Sequence, residues 1–411
     1  MHRITTAILL AAPWIAGTAR AEAPVDASKT ATTDTASLAQ ANNAFALRLL
    51  GVLKRPGGNL IVSPFSIETA FAMTYAGARG ETATEMARVF GFPNDDAALH
   101  PAIAALEREL EAKGDPRAPK IRIVNALWGQ QDLHVLEPFR AALRQHYGAG
   151  LREADFRSPG AREAARNAIN TWVEQQTEGR IKDLIGPGDL DAATRLVLTN
   201  AIYFKGAWAE PFSKAATRDE PFTRDGGTKA DVKMMARTGS YRYRETDDLQ
   251  VLELPYAGGR LAMDVLLPKQ VDGLGGVESA LQEKKLSALL GQLGRERVEV
   301  HLPRWTMTAQ FELSEALKGL GLTRAFSNEA DFSGITPDAP LRISKALHKA
   351  FVAVDEEGTE AAAATGVTVG LTAAPLPKKP ILFRADHPYL FLIRDTRSGA
   401  VLFLGRVLDP R

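Results

Sequence analysis

The order in which hydrophobic periodicity changes along the chain constrains its fold more than any single motif. Through residue 176 apolar residues recur at three- and four-residue spacing. Leu38, Ala41, Phe45 and Leu49 follow Asp34 and Thr35, which can cap a helix. Residues 67–78 are apolar almost all round and predict a helix buried on most sides. Gly77, Gly80 and Thr82 break it and begin another, and helical patterns continue through 98–112, 136–146 and 161–176, the last with an inward stripe of Ile169, Trp172 and Val173. From residue 196 the pattern becomes strand-like, over 196–204, 232–235, 249–254, 261–267, 298–302, 389–394 and 401–407. Tyr256-Ala257-Gly258-Gly259 and Asp395-Thr396-Arg397-Ser398-Gly399 read as hairpin turns between such runs. Helices first and strands later predict an α+β fold, not a repeating βαβ chain. No linker or internal repeat divides residues 36–411, which read as one domain.

Several function classes are excluded by what is absent. The 50 Lys and Arg against 49 Asp and Glu leave a net charge of +1, which argues against a nucleic-acid binder. There is no cysteine, so disulfides, thiolate metal sites and cysteine nucleophiles are all ruled out. No G-x-S-x-G, H-E-x-x-H, Walker A or G-x-G-x-x-G pattern occurs, and Gly273-Leu274-Gly275-Gly276 fails at the last glycine of the last of these. His134, His146, His301, His348 and His387 are scattered singly, apart from Asp386 beside His387, which argues for structural roles and against a metal site. No cofactor is expected.

The start of the chain carries an address. His2 and Arg3 precede the apolar run 4–16, and Ala19-Arg20-Ala21 supplies a small-x-small cleavage site. This predicts an export signal at 1–21 cut after Ala21, with the protein outside the cell or in a periplasm. Pro13, Gly17 and Arg20 interrupt the run, so it does not read as a membrane anchor. Residues 22–35 are expected to form a flexible lead-in.

The most informative stretch follows the strand-like Phe351-Val352-Ala353-Val354. It comprises Glu356, Glu357, Gly358, Thr359, Glu360, Ala361, Ala362, Ala363, Ala364 and Thr365. Alone it reads more readily as a short alanine helix or a low-complexity linker. Beyond it, however, Val367-Thr368-Val369 is β-prone and Pro375, Pro377 and Pro380 impose an extended chain. About twenty residues without a core face inside a compact domain indicate a functional loop. Its small residues alternate as a strand would, slim enough to slide between two existing strands.

This segment resembles the hinge of the inhibitory serpins, and other motifs follow in the same order. Asn59-Leu60-Ile61-Val62-Ser63-Pro64-Phe65-Ser66-Ile67, then Gly77 to Thr82, is similar to the family's second helix and turn. Leu198-Thr199-Asn200-Ala201-Ile202-Tyr203-Phe204-Lys205-Gly206-Ala207-Trp208 is similar to its central strand. Ile343 to Ala350, Asp386 to Ile393 and Phe403 to Pro410 are similar to the run into the hinge and to the closing strands. The resemblance covers essentially all of residues 36–411. It implies three mostly antiparallel sheets, eight to nine helices and an exposed reactive-centre loop at about 356–380. It implies a trap that forms a covalent complex with a serine protease, not a catalyst. Ser63, Ser66, Asn200 and His348 are implied as a polar shutter under the central strands, and Trp208 as marking the breach where insertion begins. The family's loop length places the scissile bond at Thr372-Ala373, with Leu371 or Ala374 as alternatives. All are small or apolar, which predicts elastase-, subtilisin- or chymotrypsin-like targets. Glu107, Glu109 and Glu111 beside Arg108 and Lys113 leave no basic stripe, so no strong heparin binding is expected, and the chain is expected to be a monomer. The competing reading is a non-inhibitory serpin acting as a binding protein or chaperone.

Overall fold

The computed structural model describes residues 27–55, 57–93, 96–110, 119–148, 150–337, 340–359 and 379–411. The expected signal at 1–21, the hinge residues Glu360 to Thr365 and the reactive-bond candidates Leu371, Thr372, Ala373 and Ala374 lie outside them. Among the described residues the helices are α1 (Ala27–Leu53), α2 (Pro64–Tyr75), α3 (Gly80–Phe90), α4 (Asp96–Leu110), α5 (Glu137–Tyr147), α6 (Pro159–Gln176), α7 (Leu274–Ala280), α8 (Glu283–Gly291) and α9 (Ser314–Gly319). The strands are β1 (Leu60–Val62), β2 (Lys120–Gln130), β3 (Leu151–Ala154), β4 (Leu196–Ala207), β5 (Arg218–Thr223), β6 (Lys229–Glu245), β7 (Leu249–Pro255), β8 (Leu261–Pro268), β9 (Gly294–Pro303), β10 (Trp305–Glu312), β11 (Lys345–Val354), β12 (Gly358–Thr359), β13 (Ile381–Arg384), β14 (Tyr389–Asp395) and β15 (Val401–Val407). This is the expected α+β architecture.

Two departures from the sequence reading have physical causes. The first helix begins at Ala27, not at the Asp34/Thr35 cap, so the expected flexible lead-in is helical from residue 27. Ala27, Lys29 and Ala31 are strong helix formers, and their propensity carries the helix back past the cap. Secondly, the helix-rich half contributes β2 and β3 to the central sheet. The alternation of β2 is broken by Asn125 and by a wholly buried end, Leu127 to Gln130, so period-2 patterning is weak there.

The central sheet runs β10–β11–β4–β2–β3, with β12 added on β4. Both faces of β4 are covered, which is why Leu196 to Phe204 is a nearly unbroken apolar run in which Asn200 is conspicuous. The flanking pairs β10–β11 and β2–β4 are antiparallel, but β11 and β4 are parallel, with Lys345 opposite Val197 through to Phe351 opposite Tyr203. Above Phe351 and Tyr203 that pairing stops. The remaining strands form one path, β1–β15–β14–β8–β7–β6–β9–β13. The 17-residue β6 bridges it, pairing successively with β5, β9 and β7, so these strands make one continuous nine-stranded sheet.

Helix α2 lies between these sheets with every residue buried. Ser63 caps it, its Oγ accepting from Ser66 N at 3.2 Å, and Pro64 occupies the first turn where no donor is needed. In the nine-stranded sheet Arg394 donates to Asp264 at 2.6 Å and to Glu253 at 2.5 Å, a buried ionic group spanning β14, β8 and β7. Removing the cation leaves two carboxylates buried together. Arg394→Leu is expected to lower stability by about 3–5 kcal/mol, read as an earlier midpoint in denaturant unfolding.

Candidate functional site

At the upper end of the β4–β11 seam the chain reverses direction. Asp355 Oδ1 accepts from the backbone N–H groups of Glu357 at 2.9 Å and Gly358 at 3.1 Å, and Asp355 N donates to Gly358 O at 2.8 Å. Burial raises the Asp355 carboxyl pKa, and these backbone donors act against that rise. The turn sends Gly358 and Thr359 back alongside β4, antiparallel, with Gly358 opposite Ala207 and Thr359 opposite Gly206. Gly358 takes φ +151°, and a Cβ there would sit 2.1 Å from Gly206 O and 2.6 Å from Ala207 Cα. Only glycine fits.

Aromatic and charged groups brace this turn. The Trp208 indole stacks on Tyr256 at 4.7 Å and donates through Nε1 to Asp355 O at 3.0 Å. Trp208 N donates to Glu357 O at 2.9 Å and Phe212 N to Glu356 O at 2.7 Å. Tyr256 OH bonds Thr359 Oγ1 at 2.8 Å, both groups fully buried. Glu356 accepts from Thr217 Oγ1 at 2.7 Å and lies 3.8 Å from Arg304, while Glu357 meets the exposed Lys214 at 2.6 Å. Of the expected hinge and breach residues, Glu356, Glu357, Gly358, Thr359 and Trp208 therefore converge. Tyr256, Thr217 and Arg304 were not legible as partners. Tyr256 sits in a segment that reads locally only as a turn, and nothing local singles out the other two.

Below this, the seam is bridged by polar side chains. His348 stands opposite Asn200 in the β11–β4 register, and His348 Nδ1 bonds Asn200 Oδ1. His348 Nε2 accepts from Ser63 N at 3.2 Å. Asn200 Nδ2 donates to Ser66 O at 2.8 Å, to Ser66 Oγ and to Asn125 Oδ1. Ser63 Oγ donates to Leu402 O at 2.6 Å. Ser63, Ser66, Asn200 and His348 thus form one buried network joining α2 to β11 and β4, and Asn125 extends it to β2. Asn125 was missed because β2 itself was. An amide in the middle of the apolar run 123–128 was the available signal. Burial holds the His348 pKa down to about 3, so the ring is neutral, and its acceptance at Nε2 puts the proton on Nδ1, facing Asn200.

Elsewhere, His146 does not stand singly as the sequence suggested: its ring lies 5.9 Å from that of His100, whose Nδ1 meets Tyr147 OH at 2.6 Å. Among the described residues no three His, Asp or Glu side chains are grouped to hold a metal ion, and no helix is long and apolar enough to cross a membrane.

The seam is paired below, unpaired above Phe351 and Tyr203, and bordered at its unpaired end by the chain reversal at Asp355 to Gly358. The serpin (serine protease inhibitor) family model matches residues 40–410. The chain belongs to the serpin family. It is 43% identical to an uncharacterized serpin-like protein of Thermococcus kodakarensis, over 90% of this chain and 85% of that one. It is 39% identical to the human leukocyte elastase inhibitor, over 91% of this chain and 99% of that one. Among solved structures it superposes on uncleaved ovalbumin with a TM-score of 0.83 at 30% identity, covering 91% of this chain and all of that one. Human thyroxine-binding globulin with bound thyroxine gives a TM-score of 0.82 at 30% identity, covering 92% and 99%. Serpin membership and elastase-inhibitor relatives together support protease inhibition as the general function.

Two outcomes follow from the geometry. Below pH 6.5 the unfolded chain protonates His348 while the folded chain resists until about pH 3, so this group's contribution to stability falls as pH drops through that window, by about 1.4 kcal/mol per unit. Urea midpoints at pH 7, 5.5 and 4 should show this slope in the native chain and a shallower one in His348→Gln. Gly358→Ala should expel the turn from β4, so that Trp208 emission, measured against a background lacking the other tryptophans, shifts to the red.

Proposed function

We propose that the chain is a secreted, single-use inhibitor of serine proteases and not a catalyst. It traps the acyl-enzyme by drawing its cleaved loop into the central sheet between β4 and β11. The observation that carries this reading is the Asp355–Gly358 turn, which already aims the hinge down the seam. A strand entering there runs antiparallel to both neighbours, because they are parallel to each other. Glu360, Ala361, Ala362, Ala363, Ala364 and Thr365 continue the hinge with no proline to remove ladder bonds.

The magnitudes suffice. About ten ladder hydrogen bonds at ~0.5–1.5 kcal/mol each provide ~5–15 kcal/mol. Slowing deacylation ~10⁴-fold needs only about 5.5 kcal/mol. At ~3.3 Å per residue, about fifteen inserted residues carry the acylated end ~50 Å from where the protease first bound. Ser63, Ser66, Asn200 and His348 act as the shutter that exchanges partners while the sheet opens, and Trp208 with Tyr256 marks the breach.

The scissile bond is Thr372-Ala373, with Leu371 and Ala374 the neighbouring alternatives. These residues suit elastase- or subtilisin-like pockets, with chymotrypsin-like ones next, and the named elastase inhibitors among the relatives support the same choice. Export follows cleavage after Ala21. The protein acts as a monomer, and the acidic residues of α4 give a polyanion such as heparin no strong site. Thyroxine-binding globulin shows that this fold also serves a ligand carrier, but the hinge here keeps the small residues that insertion requires.

Incubation with elastase should yield a covalent complex stable in SDS, and mass analysis should place the cut at residue 372. Cleavage without any complex would make the protein a binder. Thr359→Arg puts a charge where a fully buried hydroxyl now sits. It should turn the inhibitor into a substrate, with the loop cut as fast and the complex lost.

A further inference from the structure

A cavity of about 260 Å³ opens at the lower end of the central sheet, lined by Asp191, Glu312, Phe326, Arg342, Ile343 and Lys345, among others. Three segments meet in it. Asp191 lies on the approach to β4, Glu312 ends β10, and Arg342 and Lys345 lead into β11, which stands between the other two strands. Two cations therefore come from the middle strand and one carboxylate from the strand on each side.

These four charges are not spent on one another. Among the described residues no ion pair joins any of them, whereas the other charged pair on the wall, Lys318 and Glu315, meets at 2.8 Å. Each carboxylate commits one oxygen to its own neighbourhood. Asp191 Oδ1 accepts from Ala193 N and Thr194 Oγ1, each at 2.9 Å, and Glu312 Oε1 accepts from Ser314 N at 3.1 Å and Ser314 Oγ at 2.5 Å. The second oxygen of each is left to a ligand. Arg342 donates through Nη1 to Asn328 Oδ1 at 2.8 Å and keeps its other guanidinium donors, and Lys345 keeps all those of its ammonium. The formal charges cancel, two against two, so the cavity favours neither a bare cation nor a bare anion. Opposite charges held apart complement a molecule that is itself dipolar.

We propose that this cavity binds a small zwitterion with an apolar side chain, a free α-amino acid or a dipeptide. Its carboxylate lies on Arg342 and Lys345, where a planar guanidinium fork and an ammonium suit it. Its ammonium lies on Asp191 and Glu312, and the buried Phe326 and Ile343 supply the apolar wall. At about 260 Å³ the space is smaller than the roughly 300–1,000 Å³ of sites for drug-sized molecules, which limits the ligand to this class. The inference stands apart from the inhibitor reading, because the cavity belongs to the uncut chain and shares no residue with the hinge or the polar network. A ligand that joins the approaches to β4 and β11 to the end of β10 stabilises the folded chain as it fills the site.

The test titrates small probes into the uncut full-length protein, with binding followed by saturation-transfer NMR and by the thermal midpoint. L-leucine and glycyl-L-leucine carry both charges at different spacings. N-acetyl-L-leucine lacks the ammonium, and L-leucinamide lacks the carboxylate. The expected result is saturable binding of leucine or glycylleucine, a midpoint that rises with its concentration, and affinities about tenfold or more weaker for both single-charge analogues. Lys345→Gln should weaken the zwitterion by a similar factor, as should Glu312→Gln, which retains the Oε1 acceptor for Ser314. Equal binding of either single-charge analogue overturns the dipolar match, and unchanged affinity in both variants overturns the assignment to these residues. No saturable binding of either zwitterion overturns the site. If a substitution lowers the ligand-free midpoint, the comparison of probes on the unaltered chain still decides.

Discussion

Everything in this structure turns on one seam, the parallel pairing of β4 with β11 inside a sheet whose flanking pairs, β10–β11 and β2–β4, are antiparallel. Two parallel strands side by side make one ladder, of the slightly weaker kind. A strand running the other way between them replaces that ladder with two antiparallel ones. The seam is therefore paired from Lys345 and Val197 up to Phe351 and Tyr203, yet a more heavily hydrogen-bonded arrangement is available to the same sheet. On the mechanism proposed above, what keeps the protein from reaching it is supply: the fitting strand becomes available only when a protease cuts the loop.

The proposed insertion needs a seam that stays shut and later opens, and such a seam cannot be closed by apolar packing alone. A side chain the size of Leu or Phe contributes about 1.5–3 kcal/mol on burial, and separating such pairs exposes that area all at once. Hydrogen bonds behave differently, because a donor that loses one acceptor can take another when an incoming backbone offers it. The His348–Asn200 pair has this property, since α2 offers both residues alternatives through Ser63 and Ser66. His348 is effective because burial keeps it neutral, so opening the seam moves no charge through the core. The lack of cysteine fits the same requirement: no covalent staple crosses strands that have to part.

The elements with strong periodicity were legible in the sequence, namely α2, α5, α6, β4, β7, β8, β14 and β15. Composition explains this, because each buries a full face or both faces, and burial writes itself into the pattern. Where other forces shape an element the pattern fails. In β2, Asn125 serves the polar network and interrupts alternation, and α1 begins at Ala27, ahead of the Asp34/Thr35 cap. The site divides in the same way. Gly358 and Thr359 stand out because their smallness is unusual in context. Tyr256, Thr217 and Arg304 are brought to the hinge by tertiary contacts between distant segments, which no local spacing encodes.

The direction of opening is also built into the seam. Its upper end is frayed by design, since pairing stops at Phe351 and Tyr203 although β4 continues to Ala207 and β11 to Val354. The lower end is stitched by the Ser344–Leu196 bond and by Arg195 on Ser344 Oγ. In the proposed insertion, a strand entering from above meets the weakest resistance first, then the exchangeable polar pair, and the firmest closure last. Each residue gained at the top lengthens the ladder that drives the next separation, as in closing a zip.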